Sequence, residues 1–152
     1  KYCAVPVSYG TLIAGIFRGF VSLYKRGKTS VIPKMIAASS TQKNPIIQSF
    51  KLGLSHCEDL DPKLIKETKY NEPLINWHSF DGDEALYAIA ESKGRAYHIS
   101  DKNMKEMTSF LLKKEGYRVL PASTAGLIGV LRMHEEEVME EGRIVAVLTA
   151  KY

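Results

Sequence analysis

Residues 4–27 read AVPVSYGTLIAGIFRGFVSLYKRG, and this stretch decides the fold class. Its first four residues form a short apolar run that predicts a buried strand. Ser8-Tyr9-Gly10 is typical of a turn. From Leu12 to Tyr24 the apolar residues recur with helical spacing, and Gly27 is a suitable helix stop. The stretch therefore predicts a strand, a tight loop and a helix in succession.

A second apolar run follows this helix at residues 31–38, VIPKMIAA, and is short enough for a strand that carries Pro33 near its start. Strand, helix and strand make one βαβ unit, whose two strands normally lie parallel in a single sheet. Further along the chain, the pattern predicts helices at 45–52, 81–92, 101–115 and 122–134, and strands at 96–99, 117–120 and 143–148. This alternation predicts an α/β fold with a mostly parallel sheet.

The middle of the chain is less regular. Asn44-Pro45 is expected to open the short second helix, and Asp81 or Asp83 is expected to cap the third. Between these helices, residues 54–80 give little periodic signal and are predicted to form an irregular excursion. Residues 55–70 of this excursion are polar, so we expect them to be exposed.

The composition is that of an ordinary globular chain. The 152 residues carry 21 Lys+Arg and 17 Asp+Glu, and 45% of them are apolar. This apolar fraction excludes intrinsic disorder, and the length suits a single α/β domain over residues 1–152. The net charge of +4 is scattered, so no nucleic-acid partner is predicted. The longest weakly polar run, residues 119–131, is too short for a membrane span.

The cysteines and histidines indicate neither a disulfide scaffold nor a metal site. Cys3 and Cys57 are the only two cysteines, which excludes a disulfide scaffold and favours a reduced, cytoplasmic compartment. The four histidines have no metal-type spacing to one another or to the cysteines, so no metal site is predicted. The chain opens directly on a predicted strand without a Met or a signal peptide, and we expect it to be a fragment of a longer protein.

The loop Ser8-Tyr9-Gly10-Thr11-Leu12 is the first candidate site, because open α/β sheets bind ligands beyond the carboxyl ends of their strands. Backbone amides in such a loop, together with the positive end of the following helix, can hold a phosphate. Gly10 would allow a ligand to approach the backbone closely. The alternative is an ordinary turn with a helix cap.

Thr149 is the second candidate. It follows the last predicted strand and would present its hydroxyl at the same edge of the sheet. The alternative is an ordinary threonine at a strand end. The chain contains no G-x-S-x-G elbow, no Walker loop and no G-x-G-x-x-G fingerprint, so no other active-site motif competes with these two candidates.

Taken in order, these segments resemble threonine synthases, which are fold type II pyridoxal-phosphate enzymes. Val5-Pro6-Val7, the glycine-containing loop and AGIFRGF at residues 14–20 are similar to the family's phosphate-loop region. IVAVLT at residues 144–149 is similar to the family's last strand. Between them the resemblance includes IPKMI at 32–36, NPI at 44–46, the segments at 81–94 and 100–116, LPAS at 120–123 and AGL at 125–127.

The resemblance implies a three-layer (αβα) fold with a mostly parallel sheet, which is part of the large cofactor-binding domain of a fold type II enzyme. It implies pyridoxal phosphate as cofactor and conversion of O-phosphohomoserine and water into threonine and phosphate. Residues 1–152 would be the C-terminal portion of such an enzyme. Ser8, Tyr9, Gly10, Thr11 and Leu12 would then form the cofactor's phosphate cradle, and Thr149 would contact its pyridine nitrogen.

Three departures from the family pattern concern activity. Leu12 stands where the family has an asparagine, and Leu120 stands where it has a glutamate. The family's Schiff-base lysine lies in an "SFKD" motif upstream of the phosphate loop, outside this chain. Ser49-Phe50-Lys51 spells the same tripeptide but falls in a later helix, so Lys51 is predicted to be a solvated helix lysine. The catalytic lysine is therefore expected outside the chain, and the chain alone is predicted to be inactive.

Two other functions stay open. One is a threonine or serine dehydratase, which would keep the fold, the cofactor and a small amino-acid substrate. The other is a non-catalytic interaction module, or one half of a split enzyme. We expect a homo-oligomer or pairing with a missing N-terminal half, and an exposed apolar patch where that half packs.

Overall fold

The computed structural model describes residues 1–151 and contains one parallel sheet. Its strands are β1 (Tyr2–Pro6), β2 (Lys34–Ser40), β3 (Arg95–Ile99) and β4 (Ile144–Ala146). They lie in the order β3-β2-β1-β4, and all three neighbouring pairs are parallel. The first strand of the chain is therefore an inner strand, and its carboxyl end lies away from the edges of the sheet.

Helices cover both faces of the sheet. They are α1 (Thr11–Lys25), α2 (Pro45–Lys51), α3 (Gly82–Glu91), α4 (Asp101–Glu115) and α5 (Ala125–Glu135). Residues of α1, α2 and α3 pack in the core on one face, and residues of α4 and α5 pack in the core on the other. The predicted three-layer α/β fold with a parallel sheet is confirmed.

The two cores meet at β1, which is buried on both faces. Cys3 and Val5 join the cluster formed with α1, α2 and α3, whereas Tyr2 and Ala4 join the cluster formed with α4 and α5. Successive side chains of a strand point to opposite faces, so an inner strand of a parallel sheet needs an uninterrupted apolar run. This requirement explains why residues 2–6 are apolar without alternation.

α5 lies unusually close to β1 because Gly126 has no side chain. A Cβ atom at that position would lie 3.0 Å from the backbone nitrogen of Val5. The close approach also fixes the 3-10 turn Pro121–Thr124 that leads into α5, and this turn contacts β1 directly. The turn is thereby held beside the carboxyl end of the inner strand.

Several predicted bounds are wrong. The strand predicted at 31–38 begins only at Lys34, because Pro33 has no amide hydrogen to donate to the ladder. The strand predicted at 117–120 is a single antiparallel bridge from Val119 to Lys151. The helix predicted at 122–134 opens as the 3-10 turn already described. The strand predicted at 143–148 is paired with β1 only over Ile144–Ala146.

Residues 54–80 contain two 3-10 turns, Pro62–Leu64 and Glu72–Leu74, and neither an α-helix nor a strand. Most of residues 55–70 are exposed, and the segment then returns to the protein interior through the buried residues Asn71, Leu74 and Asn76. Within residues 1–151, every helix is too short or too polar to cross a membrane.

Glu140 ties the segment after α5 to the sheet. Its carboxylate pairs with the ammonium groups of Lys1 and Lys34, the latter at 2.7 Å. Hydrogen bonds from Lys1 and Lys34 lower the pKa of Glu140 to about 2. A depressed pKa means that this contribution to stability is present above the ordinary pKa of 4.5 and is lost as the pH falls toward 2.

We therefore expect Glu140→Gln to lower the thermal midpoint at pH 6, with the difference from the wild type shrinking as the pH falls below 4.5. The effect will be small, because Glu140 is half exposed and water screens the ion pairs. Thermal unfolding followed by circular dichroism across this pH range measures it. Glu115→Gln is the control, since Glu115 forms no ion pair within residues 1–151. A Glu140→Gln midpoint equal to that of the wild type at pH 6 would refute the assignment.

Candidate functional site

A cleft of about 280 Å³ lies at the carboxyl end of β1. Its wall contains all five residues of the predicted loop, 8–12, and also Thr149. The structure thus brings the two separately predicted candidates together around one cavity. The remaining lining residues are Pro6, Val7, Ile13, Pro73, Leu74, Leu120, Ala122, Ser123 and Ala150.

Gly10 occupies the N-cap position of α1 and gives the loop its shape. Its φ of +96° lies in the left-handed region that glycine tolerates best. A Cβ atom there would lie 2.5 Å from the carbonyl oxygen of Asp81 and 3.0 Å from the Cβ of Ala85. Glycine is therefore required both by the backbone conformation and by the close packing of α3 against the loop.

The amides at the start of α1 are the main polar groups of the loop. The backbone nitrogens of Thr11, Leu12 and Ile13 have no hydrogen-bond partner within residues 1–151, and the first intrahelical bond runs from Ala14 to the Gly10 carbonyl at 3.1 Å. Unpaired amides and the helix dipole together make this end of α1 favourable for an anion. A phosphate fits this donor set.

The side chain of Asn44 connects the loop to neighbouring segments. Its side-chain nitrogen donates to the carbonyls of Val7 at 3.3 Å, Ser8 at 2.9 Å and Leu74 at 3.2 Å. Its side-chain oxygen accepts from the amides of Ile46 and Ile47, which caps α2 as predicted. Asn44 is fully buried. One side chain therefore fixes the end of β1, the start of α2 and the inner part of residues 54–80 relative to one another.

Asp81 fixes the other side of the loop. Its backbone nitrogen donates to the Tyr9 carbonyl at 3.0 Å, and its carboxylate accepts from the Thr11 hydroxyl. Asp81 lies at the N-cap position of α3, but its side chain does not cap the helix, so that part of the prediction is wrong. The proton of the Thr11 hydroxyl is occupied by this bond, so the donor that Thr11 offers to an anion is its amide.

The side chains of Tyr9 and Leu12 add no polar contact that the structure identifies. The ring of Tyr9 packs against that of Phe80, with centroids 5.1 Å apart. Leu12 is apolar and 44% exposed at the rim of the cleft. The polar groups of the loop are thus its backbone and the hydroxyls of Ser8 and Thr11.

A second part of the cleft wall is formed by residues 120, 122 and 123, around the turn before α5, and by residues 149–150. The hydroxyls of Ser123 and Thr149 are 3.0 Å apart, and the Ala150 amide donates to the Ser123 hydroxyl at 2.7 Å. The Leu120 amide donates to the Ala150 carbonyl at 3.2 Å. These bonds hold Thr149 against the cleft although β4 has already ended at Ala146.

The described residues provide no lysine in the wall of the cleft. Lys51 is an exposed residue at the end of α2, as predicted, and does not line the cavity. No cluster of three metal-ligating side chains occurs within residues 1–151. Burial raises the pKa of the Cys57 thiol to about 11, so this cysteine is protonated at neutral pH and a weak nucleophile.

Sequence reasoning missed the roles of three residues, Asn44, Leu74 and Ser123. Asn44 was predicted only as a helix cap, and neither Leu74 nor Ser123 was predicted to line a site. All three act through contacts between segments far apart in sequence, such as Ser123 with Thr149, which no local pattern encodes. The one sequence signal for a residue of the site was the LPAS segment at residues 120–123, which contains Ser123.

The chain is similar to known proteins over nearly its whole length. The family described as "Pyridoxal-phosphate dependent enzyme" matches residues 1–150. Threonine synthase from Methanocaldococcus jannaschii is 30% identical over 146 residues, which cover 95% of this chain and 35% of that protein. The chain thus spans about a third of the length of the curated relatives it matches.

Solved structures share the fold at low sequence identity. The processed form of threonine deaminase isoform 2 from Solanum lycopersicum superposes with a TM-score of 0.73 and 12% identity, over 99% of this chain and 40% of that one. Pyridoxal-phosphate-bound threonine synthase from Brucella melitensis gives a TM-score of 0.60 and 16% identity, over 98% and 35% of the two chains. With the family match over residues 1–150, the conclusion is that this chain belongs to the pyridoxal-phosphate dependent enzyme family.

Proposed function

We propose that the cleft at the end of β1 holds pyridoxal phosphate and that the chain is the C-terminal portion of a threonine synthase-like enzyme. Such an enzyme converts O-phosphohomoserine and water into threonine and phosphate. The observation that carries the proposal is that one cavity is lined both by residues 11–13, whose amides are unpaired, and by Thr149. These are the two kinds of group needed by a ligand with a phosphate and a ring nitrogen.

The loop residues Ser8, Tyr9, Gly10, Thr11 and Leu12 would hold the phosphate. The amides at the start of α1 donate to the phosphate oxygens, and the helix dipole stabilises their negative charge. The absence of a side chain at Gly10 lets α3 pack against the loop without displacing those amides. The nearby Asp81 carboxylate is compensated by the Thr11 hydroxyl that donates to it.

Thr149 would contact the ring nitrogen. Thr149 lines the same cleft as the loop, and its hydroxyl is held by that of Ser123. A neutral hydroxyl does not stabilise a protonated pyridine as a carboxylate would, so the ring nitrogen stays uncharged. When bound, pyridoxal phosphate supplies an electron sink for the amino-acid substrate.

The lysine that carries the cofactor would come from a segment outside this sequence. The cleft wall contains no lysine among the described residues, and Lys51 lies elsewhere. The exposed edge strand β4, with Ile144 and Val145 on its surface, is the place where we propose that this further segment packs. The free thiols of Cys3 and Cys57 agree with a cytoplasmic enzyme.

A threonine or serine dehydratase is the second candidate. Leu12 and Leu120 in the cleft wall offer no side-chain donor to a phosphorylated substrate, which favours a substrate without a phosphate. The two activities are separated by their products, because O-phosphohomoserine would release inorganic phosphate and threonine would release a 2-oxo acid and ammonia. The assay requires the segment that supplies the lysine, because the chain alone is predicted to be inactive. Neither product from the cofactor-loaded protein that contains this segment would favour the non-catalytic function.

Replacing Thr149 with valine tests the nitrogen contact. We expect Thr149→Val to weaken binding of pyridoxine 5′-phosphate about fivefold, the equivalent of one hydrogen bond of about 1 kcal/mol. Pyridoxine 5′-phosphate has the ring and the phosphate but no aldehyde, so it does not react with surface lysines. Calorimetric titration of the purified protein measures the affinity.

Thr149→Ser retains the hydroxyl and serves as the matched control, with affinity close to that of the wild type. Thermal unfolding of Thr149→Val should show a small fall in the midpoint, because Thr149 is exposed beyond the end of β4 but its oxygen is the partner of the buried Ser123 hydroxyl. If Thr149→Val binds as tightly as Thr149→Ser, Thr149 is not part of the site.

A further inference from the structure

Ser123 is buried to 99% at the turn before α5, and its hydroxyl meets two groups from the end of the chain. Its oxygen lies 2.7 Å from the Ala150 amide nitrogen and 3.0 Å from the Thr149 hydroxyl oxygen. The turn is itself held in place by two further bonds, from Thr124 to the Pro121 carbonyl at 2.7 Å and from Leu120 to the Ala150 carbonyl at 3.2 Å. The Ser123 hydroxyl therefore occupies a defined position.

The direction of the Ser123–Thr149 hydrogen bond follows from counting donors and acceptors. The Ala150 amide can only donate, so it takes one lone pair of the Ser123 oxygen. The Ser123 proton then needs an acceptor, because an unpaired buried hydroxyl is costly. Within residues 1–151 the acceptor in reach is the Thr149 oxygen. With Ser123 as donor to Thr149, the proton of Thr149 is free to point elsewhere.

We propose that Ser123 is a positioning residue that makes the Thr149 hydroxyl a hydrogen-bond donor to the group in the cleft. This inference rests on the proposed function of Thr149 as the ring-nitrogen contact. A donor at that place pairs with an unprotonated pyridine nitrogen and disfavours a protonated one, which carries its own proton and needs an acceptor. Ser123 thereby sets, through Thr149, the protonation state of the ring that the site accepts.

Burial makes this arrangement depend on Ser123 itself. At an exposed position a water molecule could replace a missing hydroxyl, but Ser123 is only 1% exposed. Without the Ser123 hydroxyl, the Thr149 proton would be free to turn away from the ring, and the Ala150 amide would lose its partner. The preference for a nitrogen-containing ring would then fall.

The test compares two ligands that differ at one atom. Pyridoxine 5′-phosphate has the ring nitrogen, and 1-deazapyridoxine 5′-phosphate has C–H in its place. We expect Ser123→Ala to weaken binding of the first ligand about fivefold and to leave binding of the second unchanged. In the Thr149→Val background, Ser123→Ala should have no further effect on either ligand, because the two side chains act through one contact.

Thr124→Val is the matched control, since it removes a neighbouring buried hydroxyl that donates to the Pro121 carbonyl and not to Thr149. It should leave the ratio of the two affinities unchanged. An equal loss for both ligands in Ser123→Ala would mean a purely structural role and would overturn the inference. No loss for either ligand would overturn it as well. If neither pyridoxine 5′-phosphate nor its 1-deaza analogue binds the wild type, the proposed function is wrong, and the inference that rests on it is wrong too.

Discussion

Gly10→Ala is expected to destabilise the protein and to weaken phosphate binding at the loop. An alanine would have to keep a φ of +96°, which costs a non-glycine residue about 1–3 kcal/mol. Its Cβ would also lie 2.5 Å from the Asp81 carbonyl oxygen, a backbone atom at the N-terminus of α3. Relief of this clash requires α1 and α3 to separate, which displaces the amides of residues 11–13.

We expect the free energy of unfolding to fall by about 2–4 kcal/mol, from backbone strain and overpacking together. The affinity for pyridoxine 5′-phosphate should fall by more than about tenfold, which corresponds to about 1.4 kcal/mol of lost binding. Denaturant unfolding and calorimetric titration measure the two quantities separately.

Gly15→Ala is the matched control on the same helix. A Cβ at Gly15 meets no atom within 4 Å, and the residue is exposed in the interior of α1. Alanine should therefore stabilise the helix by about 0.5–1 kcal/mol and leave phosphate affinity unchanged. Equal behaviour of the two variants would contradict the role assigned to Gly10.

Asn44→Ala is the second change with a large expected effect. It removes the polar contacts of a fully buried side chain, whose two amide protons are shared among three carbonyls and whose oxygen accepts from two amides. Each buried polar group left unpaired costs about 1–3 kcal/mol, so we expect stability to fall by about 3 kcal/mol or more. Because the Ser8 carbonyl loses its anchor, phosphate affinity should fall as well.

Asn44→Ser separates the two roles of this residue. Serine is a good N-cap and can accept from the start of α2, but it cannot donate to the carbonyls of Val7, Ser8 and Leu74 together. We expect Asn44→Ser to regain about 1 kcal/mol of stability relative to alanine, without regaining phosphate affinity. Full recovery of affinity in Asn44→Ser would show that the loop does not depend on Asn44.

The fold was predictable where the information is local. The inner strand β1 and helix α1 are encoded by a continuous apolar run and a helical periodicity, with a glycine between them. Their order also implied that a loop at the carboxyl end of the strand would face a cavity. The loop and Thr149 were therefore predicted without knowledge of any contact between them.

The rest depended on contacts between segments far apart in the chain. The strand propensity of residues 117–120 was overridden because the pairing of this segment is limited to one isolated bridge, from Val119 to Lys151. Leu112 has core spacing in its helix but is 46% exposed. The bond from Asn44 to Ser8 crosses 36 residues, and the one between Ser123 and Thr149 crosses 26. Residue patterns carry no signal for such pairs.

The central claim is that one cleft receives a phosphate at residues 8–12 and a ring nitrogen at Thr149. The most direct measurement is a titration of the ¹⁵N-labelled protein with pyridoxine 5′-phosphate, followed through the backbone amide resonances. The account predicts saturable shifts of the amides of Thr11, Leu12 and Ile13 together with those of Thr149 and Ala150. Shifts confined to other parts of the chain, or none at saturating ligand, would contradict it.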